Sequence, residues 1–138
     1  MTRTLRSIAA LAILLLVLPL GGCNLDVLVV QVPDFDSKQV MGLTLWSTNA
    51  RGRAVGRALD LQLLEPRFDE QGVELVGYSY VENGETVEVW NQLHRDPANP
   101  DRVTLGFVAL PVPRGVPYRI STFNAKGQSA LSAQSFVL

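Results

Sequence analysis

The sequence predicts an all-β protein, a single antiparallel β-sandwich that follows an N-terminal signal peptide. Two observations predict the sandwich: about eight short apolar segments recur with turn residues between them, and none shows the 3.6-residue period of an amphipathic helix. A third observation, the apolar composition of the first 22 residues, separates a leader from the remainder. The boundaries that follow are 1–22 for the signal peptide, 23–34 for the new N-terminus with a short tether, and 35–138 for the sandwich.

The leader has the zones of an export signal. Arg3 and Arg6 form a short positive region, and an apolar run from Ile8 to Leu20 follows it. That run is shorter than the roughly 20 residues that a membrane-spanning helix requires. These features are typical of a cleaved signal peptide, and they argue against an uncleaved membrane anchor.

The four residues at the end of the leader resemble the bacterial lipobox. Leu20, Gly21 and Gly22 precede Cys23, and the resemblance implies signal-peptidase recognition of the first three residues and a diacylglyceryl thioether on Cys23. Two or three acyl chains anchor a protein stably, whereas one chain does not. Asn24 stands where enteric inner-membrane lipoproteins carry Asp, which favours the outer membrane in a diderm. An ordinary secretory cleavage site and a merely buried cysteine are the alternatives.

Composition excludes several classes of partner. Without Arg3 and Arg6, ten of the twelve basic residues remain against thirteen acidic ones, a net charge near −3. No basic stripe is present, which argues against nucleic acid, and no polybasic segment is present that would bind anionic lipid. Membrane contact is therefore expected through the acyl chains. Cys23 is the only cysteine, so an intrachain disulfide is impossible, and we expect no cofactor.

The strands are marked by β-branched runs and by alternation with period two. They are predicted at 27–32, 40–46, 59–63, 73–81, 86–93, 103–109, 118–124 and 131–137. Asn83-Gly84 predicts a type I′ turn between the fourth and fifth of them. The two prolines and three Asx residues between Asp96 and Asp101 predict a loop.

The C-terminal third resembles a fibronectin type III domain. The residues that carry the resemblance are Val103-Thr104-Leu105, Leu110, Pro113, Gly115, Tyr118-Arg119-Ile120, Asn124, Gly127, Ser129 and Ser132. The resemblance implies that Tyr118 forms the tyrosine corner of the family, with its hydroxyl bonded to upstream backbone. It also implies an Asn-x-x-Gly-x-Ser-x-x-Ser turn into the final strand.

The resemblance continues more weakly upstream. Residues 43–46 (Leu-Thr-Leu-Trp) resemble strand B with its core tryptophan, and residues 76–80 resemble strand C. The turn at residues 49–55 is similar to that of bacterial immunoglobulin-like repeats. Together these likenesses imply an immunoglobulin-like sandwich, and they imply no activity, because fold does not determine function.

The chain offers few residues for catalysis or metal binding. His94 is the only histidine, and it lacks the sequence context of a nucleophilic elbow, so a solvated strand-end residue is the favoured interpretation. Four aspartates (Asp34, Asp36, Asp96 and Asp101) could gather around calcium. They lack calcium-loop spacing, so loop capping is favoured. We therefore expect no metal and no enzymatic activity.

Two other sets of residues could bind a ligand. Arg51, Arg53 and Arg57 form a local basic patch that lacks the Gly-Lys-Ser/Thr ending of a phosphate loop, so a solvated turn is favoured. Five aromatic residues could form a carbohydrate platform, although most of them should lie in the core. They are Trp46, Trp90, Tyr78, Tyr80 and Phe107.

The sequence thus predicts a lipid-anchored, non-enzymatic interaction or structural module of the bacterial cell envelope. Its expected partner is an envelope protein that docks on a sheet edge or on loops. A glycan- or peptidoglycan-binding lipoprotein is the alternative, and its platform would be exposed aromatic side chains.

Overall fold

The computed structural model describes the backbone of residues 12–20, 23–129, 131–132 and 135–138, and the side chains among these from Val27 onward. All regular elements in this part of the chain are β-strands. In chain order they are β1 (Ala12–Leu20), β2 (Cys23–Val32), β3 (Gly42–Thr48), β4 (Ala54–Leu63), β5 (Arg67–Phe68), β6 (Glu74–Glu82), β7 (Glu85–Gln92), β8 (His94–Asp96), β9 (Asn99–Val108), β10 (Pro117–Asn124), β11 (Gly127–Gln128) and β12 (Phe136–Val137).

The strands form two antiparallel sheets. The smaller sheet has the order β1-β2-β9-β8, and the larger has the order β11-β10-β3-β4-β6-β5. In addition, β12 pairs with β10 and β7 pairs with β6. The two sheets pack as an immunoglobulin-like sandwich, so the predicted all-β fold class is confirmed.

Alternation along the strands builds the core. In β2, Leu28, Val30 and Val32 are at most 1% exposed, whereas Gln31 is exposed. This pattern follows because successive side chains point to opposite faces of a strand. The other members of the core repeat it: Leu43, Leu45, Leu61, Val76, Tyr78, Tyr80, Val103, Leu105, Phe107, Tyr118 and Ile120.

The predicted hairpin between β6 and β7 is present. Asn83 and Gly84 both have positive φ, at 53° and 79°, as a type I′ turn requires. The eight register pairs from Leu75↔Gln92 to Glu82↔Glu85 continue from it without a shift.

Three predicted boundaries are corrected. The sandwich begins at Val27 and not at residue 35, because β2 pairs with β9 from Val27↔Val108 to Val32↔Val103 and buries its inner face. Strand β4 starts at Ala54 rather than at residue 59. In the described part of the predicted final strand, only Phe136 and Val137 are strand residues.

The leader lies mostly beyond what the structure describes. Strand β1 pairs along β2, with Leu20 opposite Cys23. Gly21 and Gly22 lie outside the described residues, as do the side chains of Leu20 and Cys23. Signal-peptide cleavage and lipidation therefore stay predictions. Within the described part, no helix has the length and apolar character to cross a membrane.

The assignment of residues 43–46 to strand B with a core tryptophan is wrong. Strand β3 pairs with β10, the strand of Tyr118, whereas strands B and F of an immunoglobulin fold lie in different sheets. In the immunoglobulin fold, the strand that lies beside strand F in its sheet is strand C. Moreover, Leu43 and Leu45 point inward, so Trp46 points to the outer face.

The two ends of the sandwich differ in the connections that they carry. We call one end the Val27 end, because β2 begins its pairing with β9 there, at Val27↔Val108. The connections 49–53 and 109–116 meet at this end, where the Thr48 hydroxyl donates to the Pro117 carbonyl at 3.1 Å. We call the opposite end the Val32 end. The connections 33–41 and 124–127 meet there, and the Asn124 amide donates to the Lys38 carbonyl at 2.7 Å.

Strand β4 leaves part of its length unpaired with β6. The two strands pair only at Gln62↔Ser79 and Leu63↔Tyr78, and they diverge towards the Val27 end. On its other side, β4 pairs along β3 with register shifts at Leu45/Trp46 and Ser47/Thr48. The free edge of β4 is therefore irregular.

Tyr118 makes the backbone hydrogen bond expected of a tyrosine corner. Its hydroxyl donates to the Pro113 carbonyl at 2.6 Å, and its ring is 1% exposed. Burial raises the pKa of this phenol. The bond fixes the connection between β9 and β10.

We predict that Tyr118→Phe lowers the free energy of unfolding by about 1 kcal/mol, because the Pro113 carbonyl loses its donor. Urea denaturation measures the change. Tyr80→Phe is the matched control, since the Tyr80 hydroxyl has no hydrogen-bond partner among the described residues and Tyr80 is 8% exposed. Equal losses in the two variants would contradict the prediction.

Candidate functional site

The outer face of the larger sheet carries a tryptophan held in a fixed orientation. The indole Nε1 of Trp46 donates to the Ser121 hydroxyl at 2.9 Å. The guanidinium of Arg57 lies over the ring, 5.4 Å from its centroid, at a distance typical of a cation–π contact. Trp46 remains half-buried rather than covered.

A chain of hydrogen bonds supports this tryptophan. The Ser121 hydroxyl donates to Gln128 Oε1 at 2.6 Å, Gln128 Nε2 donates to Thr44 Oγ1 at 3.2 Å, and Thr44 Oγ1 donates to Asp60 Oδ1 at 2.7 Å. Thr44 and Ser121 are at most 1% exposed. Because hydrogen bonds to buried hydroxyls fix side-chain positions, Ser121 holds the Trp46 indole in place, whereas Gln128 and Asp60 of the same network are exposed.

Arg119 and Arg57 flank Trp46 on the neighbouring strands. Both residues are register partners of Trp46, on β10 and β4 respectively. Within the described residues, the buried Nε of Arg119 has no hydrogen-bond partner. The Trp46 face is defined here as Thr44, Trp46, Arg57, Asp60, Arg119, Ser121 and Gln128.

The Trp46 face is suited to binding rather than to bond chemistry. Tryptophan and arginine are the side chains most enriched where interfaces concentrate their binding energy. Arg57 is more than half exposed beside Asp60, with 3.4 Å between Nη1 and Oδ2, so this ion pair can exchange for a partner's carboxylate at little cost.

Three of the five aromatic residues considered for a carbohydrate platform lie in the core. Tyr78 and Phe107 are 1% exposed and pack edge to face at 4.8 Å, and Tyr80 is 8% exposed. Trp90 is half-buried beneath the Arg67 guanidinium, at 3.8 Å from its ring centroid. An exposed strip formed by Tyr78, Tyr80 and Trp90 is therefore contradicted, and Trp46 is left on the outer face.

His94 lies at the exposed start of β8, in register with Thr104. Its side chain makes no hydrogen bond to any described residue.

The four aspartates do not converge on a cation site. Asp101 accepts hydrogen bonds from the Ser37 hydroxyl at 2.6 Å and from backbone N–H groups of Asp36 and Ser37, and the serine bond lowers its pKa. Asp96 accepts from the Ala98 N–H at 2.9 Å. Among the described residues, no group of three or more acidic, histidine or cysteine side chains could hold a metal ion. The preference for loop capping is confirmed for Asp96 and Asp101.

Arg95 ties three segments together at the Val32 end. Its guanidinium donates to both oxygens of Glu74, at 2.8 and 3.0 Å, and to Asp36 at 2.8 Å. These bonds raise the pKa of Arg95, and the bond from Arg95 lowers the pKa of Glu74. Asp36 is thus engaged by arginine through Oδ2.

The turn that carries Arg51 and Arg53 is organised by Asn49. The Asn49 side-chain oxygen accepts from the N–H groups of both arginines, at 2.9 and 3.0 Å, and Gly52 takes a φ of 76°. Both arginine side chains are exposed. Arg51 and Arg53 thus lie on an exposed turn, whereas Arg57 belongs to the Trp46 face.

The Trp46 face was not predicted from the sequence. Its residues come from four strands, and Trp46 and Ser121 are separated by 75 positions. One signal in the sequence could have indicated it. Residues 43–46 are Leu, Thr, Leu and Trp, and successive side chains of a strand point to opposite faces. If Leu43 and Leu45 point into the core, Trp46 must point to the outer face.

No protein-family model, curated protein or solved structure matches this chain.

We predict that Glu74→Gln lowers the free energy of unfolding by about 1–3 kcal/mol near pH 7, because Arg95 loses a charged acceptor. Arg95 lowers the pKa of Glu74 in the folded protein. The ion pair therefore contributes fully to the free energy of unfolding above pH 4.5, the ordinary pKa of glutamate, and this contribution is lost as the pH falls through the lowered pKa of the folded state. Denaturation of both proteins should show the difference shrinking in acid.

Asp34→Asn is the matched control for this pair. Asp34 and Lys38 form an exposed ion pair at 3.8 Å, which contributes little. A similar loss for Asp34→Asn, or a Glu74→Gln loss that does not change with pH, would contradict the assignment.

Proposed function

We propose that this protein is a lipid-anchored, non-enzymatic interaction module of the bacterial cell envelope, and that it binds an envelope protein through the Trp46 face. The observation that carries the proposal is the half-buried Trp46 ring between Arg57 and Arg119, held by hydrogen bonds that run through the buried Ser121 and Thr44 hydroxyls. An indole held in this way loses little conformational freedom on binding.

The anchor in this proposal is a diacylglyceryl group on Cys23, supported by the lipobox-like residues 20–23 and the leader before them. The fibronectin type III likeness is part of the same proposal. Its support is the Tyr118 bond to Pro113 and the Ser129 and Ser132 hydroxyls, which accept from backbone N–H groups of β10 at 2.9 and 3.1 Å.

Glycan binding is the second candidate, and Trp46 also supports it. A partly exposed indole ring beside a carboxylate and an amide resembles the combination of apolar and polar contacts that small-molecule sites use. Asp60 and Gln128 supply those polar groups. With Tyr78 and Tyr80 buried, the aromatic side chains left to this candidate are the half-buried Trp46 and Trp90.

Affinity capture tests the proposal with matched arginine variants. Full-length tagged protein is captured from detergent-solubilised envelopes as wild type, Arg57→Ala and Arg67→Ala, and the captured partner is then titrated against each. Both arginines stack on a tryptophan, at 5.4 Å in one pair and 3.8 Å in the other, but only Arg57 belongs to the Trp46 face. We expect about tenfold weaker binding for Arg57→Ala and no change for Arg67→Ala.

Equal binding by the two variants would overturn the assignment of the Trp46 face. Retention of peptidoglycan fragments in place of protein, lost in Arg57→Ala, would favour the glycan candidate. The mass of the N-terminal peptide from the same preparation reports lipidation of Cys23, and Cys23→Ala should lack the added mass and leave the membrane fraction.

A further inference from the structure

We propose that the Val27 end of the sandwich rests on the bilayer and that Arg51 and Arg53 contact anionic phospholipid headgroups there. This inference rests on the proposed lipid anchor at Cys23. It assigns a direct lipid contact to the folded domain, beyond the insertion of acyl chains.

The anchor point lies close to this end of the domain. Strand β2 joins β9 at Val27↔Val108, four residues after Cys23. Four extended residues span at most about 14 Å. A lipid on Cys23 therefore holds the Val27 end near the headgroups, while the Val32 end points away.

The connections at the Val27 end are basic. Residues 49–53 and 109–116 contain Arg51, Arg53 and Arg114 and no acidic residue. The turn of Gly52 also approaches Arg119, because a Cβ at Gly52 would stand 3.5 Å from its guanidinium. Basic side chains near an anionic membrane surface are attracted to it.

The Val32 end has the opposite character. Connection 33–41 carries Asp34 and Asp36 with Lys38, and residues 64–73 carry three further acidic residues (Glu65, Asp69 and Glu70) with Arg67, so acidic residues outnumber basic ones there. Acidic residues do occur towards the Val27 end, at positions 82 and 85 of the β6–β7 hairpin. That hairpin diverges from β4, which begins beside the basic turn. The tether itself contains Asp26.

Exposed apolar side chains accompany these arginines. Val55 follows the basic turn and is 64% exposed, Val116 ends the 109–116 connection and is 39% exposed, and Val137 pairs with Pro117 and is 43% exposed. Exposed valines among arginines are the composition of a surface that lies in the headgroup region, where apolar area and positive charge both favour binding.

The two arginines are positioned for such contacts. Asn49 fixes the backbone of the turn by accepting from both of their N–H groups. Within the described residues, neither Arg51 nor Arg53 forms an ion pair with the protein. Their guanidinium groups therefore lose no internal partner when they meet lipid phosphates.

Hydrogen exchange of the reconstituted protein tests the contact. The full-length protein, purified from membranes, is placed in vesicles of phosphatidylcholine alone or mixed with phosphatidylglycerol. We expect amide exchange in segments 49–56 and 109–117 to slow about fivefold on the anionic vesicles, with no change in 33–41 and 64–73. High salt should remove the difference, because it screens the attraction.

Two double variants separate this contact from a general effect of charge. Arg51→Gln with Arg53→Gln should remove the protection, whereas Lys38→Gln with Lys126→Gln changes the charge equally at the Val32 end and should retain it. All four residues are exposed, so both variants should fold with unchanged thermal stability.

The mass of the N-terminal peptide distinguishes the possible failures. A lipidated protein with equal exchange on both vesicles overturns this inference and leaves the proposed anchor intact. A protein without lipid on Cys23 overturns both. Equal loss of protection in the two double variants also overturns the assignment to Arg51 and Arg53.

Discussion

Successive side chains of a strand point to opposite faces, and this constraint determines what each surface of the sandwich can carry. Leu28, Val30 and Val32 of β2 are almost fully buried because they share one face. The same rule in β3 sends Leu43 and Leu45 inward and Trp46 outward. Apolar residues needed for the core therefore leave the outer face to polar and aromatic side chains, which can serve a partner without weakening the packing.

Features that depend on neighbouring residues were predictable from the sequence. The alternation of β9, the Asn83-Gly84 turn and the Tyr118 corner each follow from a few adjacent positions, and each is present. The serines of the final turn also have an evident structural role, since Ser129 and Ser132 accept hydrogen bonds from β10. Local chemistry fixes these features whatever the rest of the chain does.

Features that depend on distant pairing were not predictable. Nothing near residue 46 indicates that β3 lies beside β10, and a resemblance placed this strand in the other sheet. The same applies to the charges: Arg114 lies more than 60 positions after Arg51 and Arg53, so the three arginines do not form a polybasic segment. Two separate connections bring them to one end only after the sheets have formed.

The irregular edge of β4 bears on how copies of the protein meet. Two copies that meet edge to edge can pair their strands when both edges are straight and unpaired. A straight unpaired strand would then template sheet growth from one molecule to the next, and bulges that twist the edge discourage it. The register shifts beside Trp46 and Thr48 thus give this length of β4 an irregular edge, which is a poor template for a strand of another molecule.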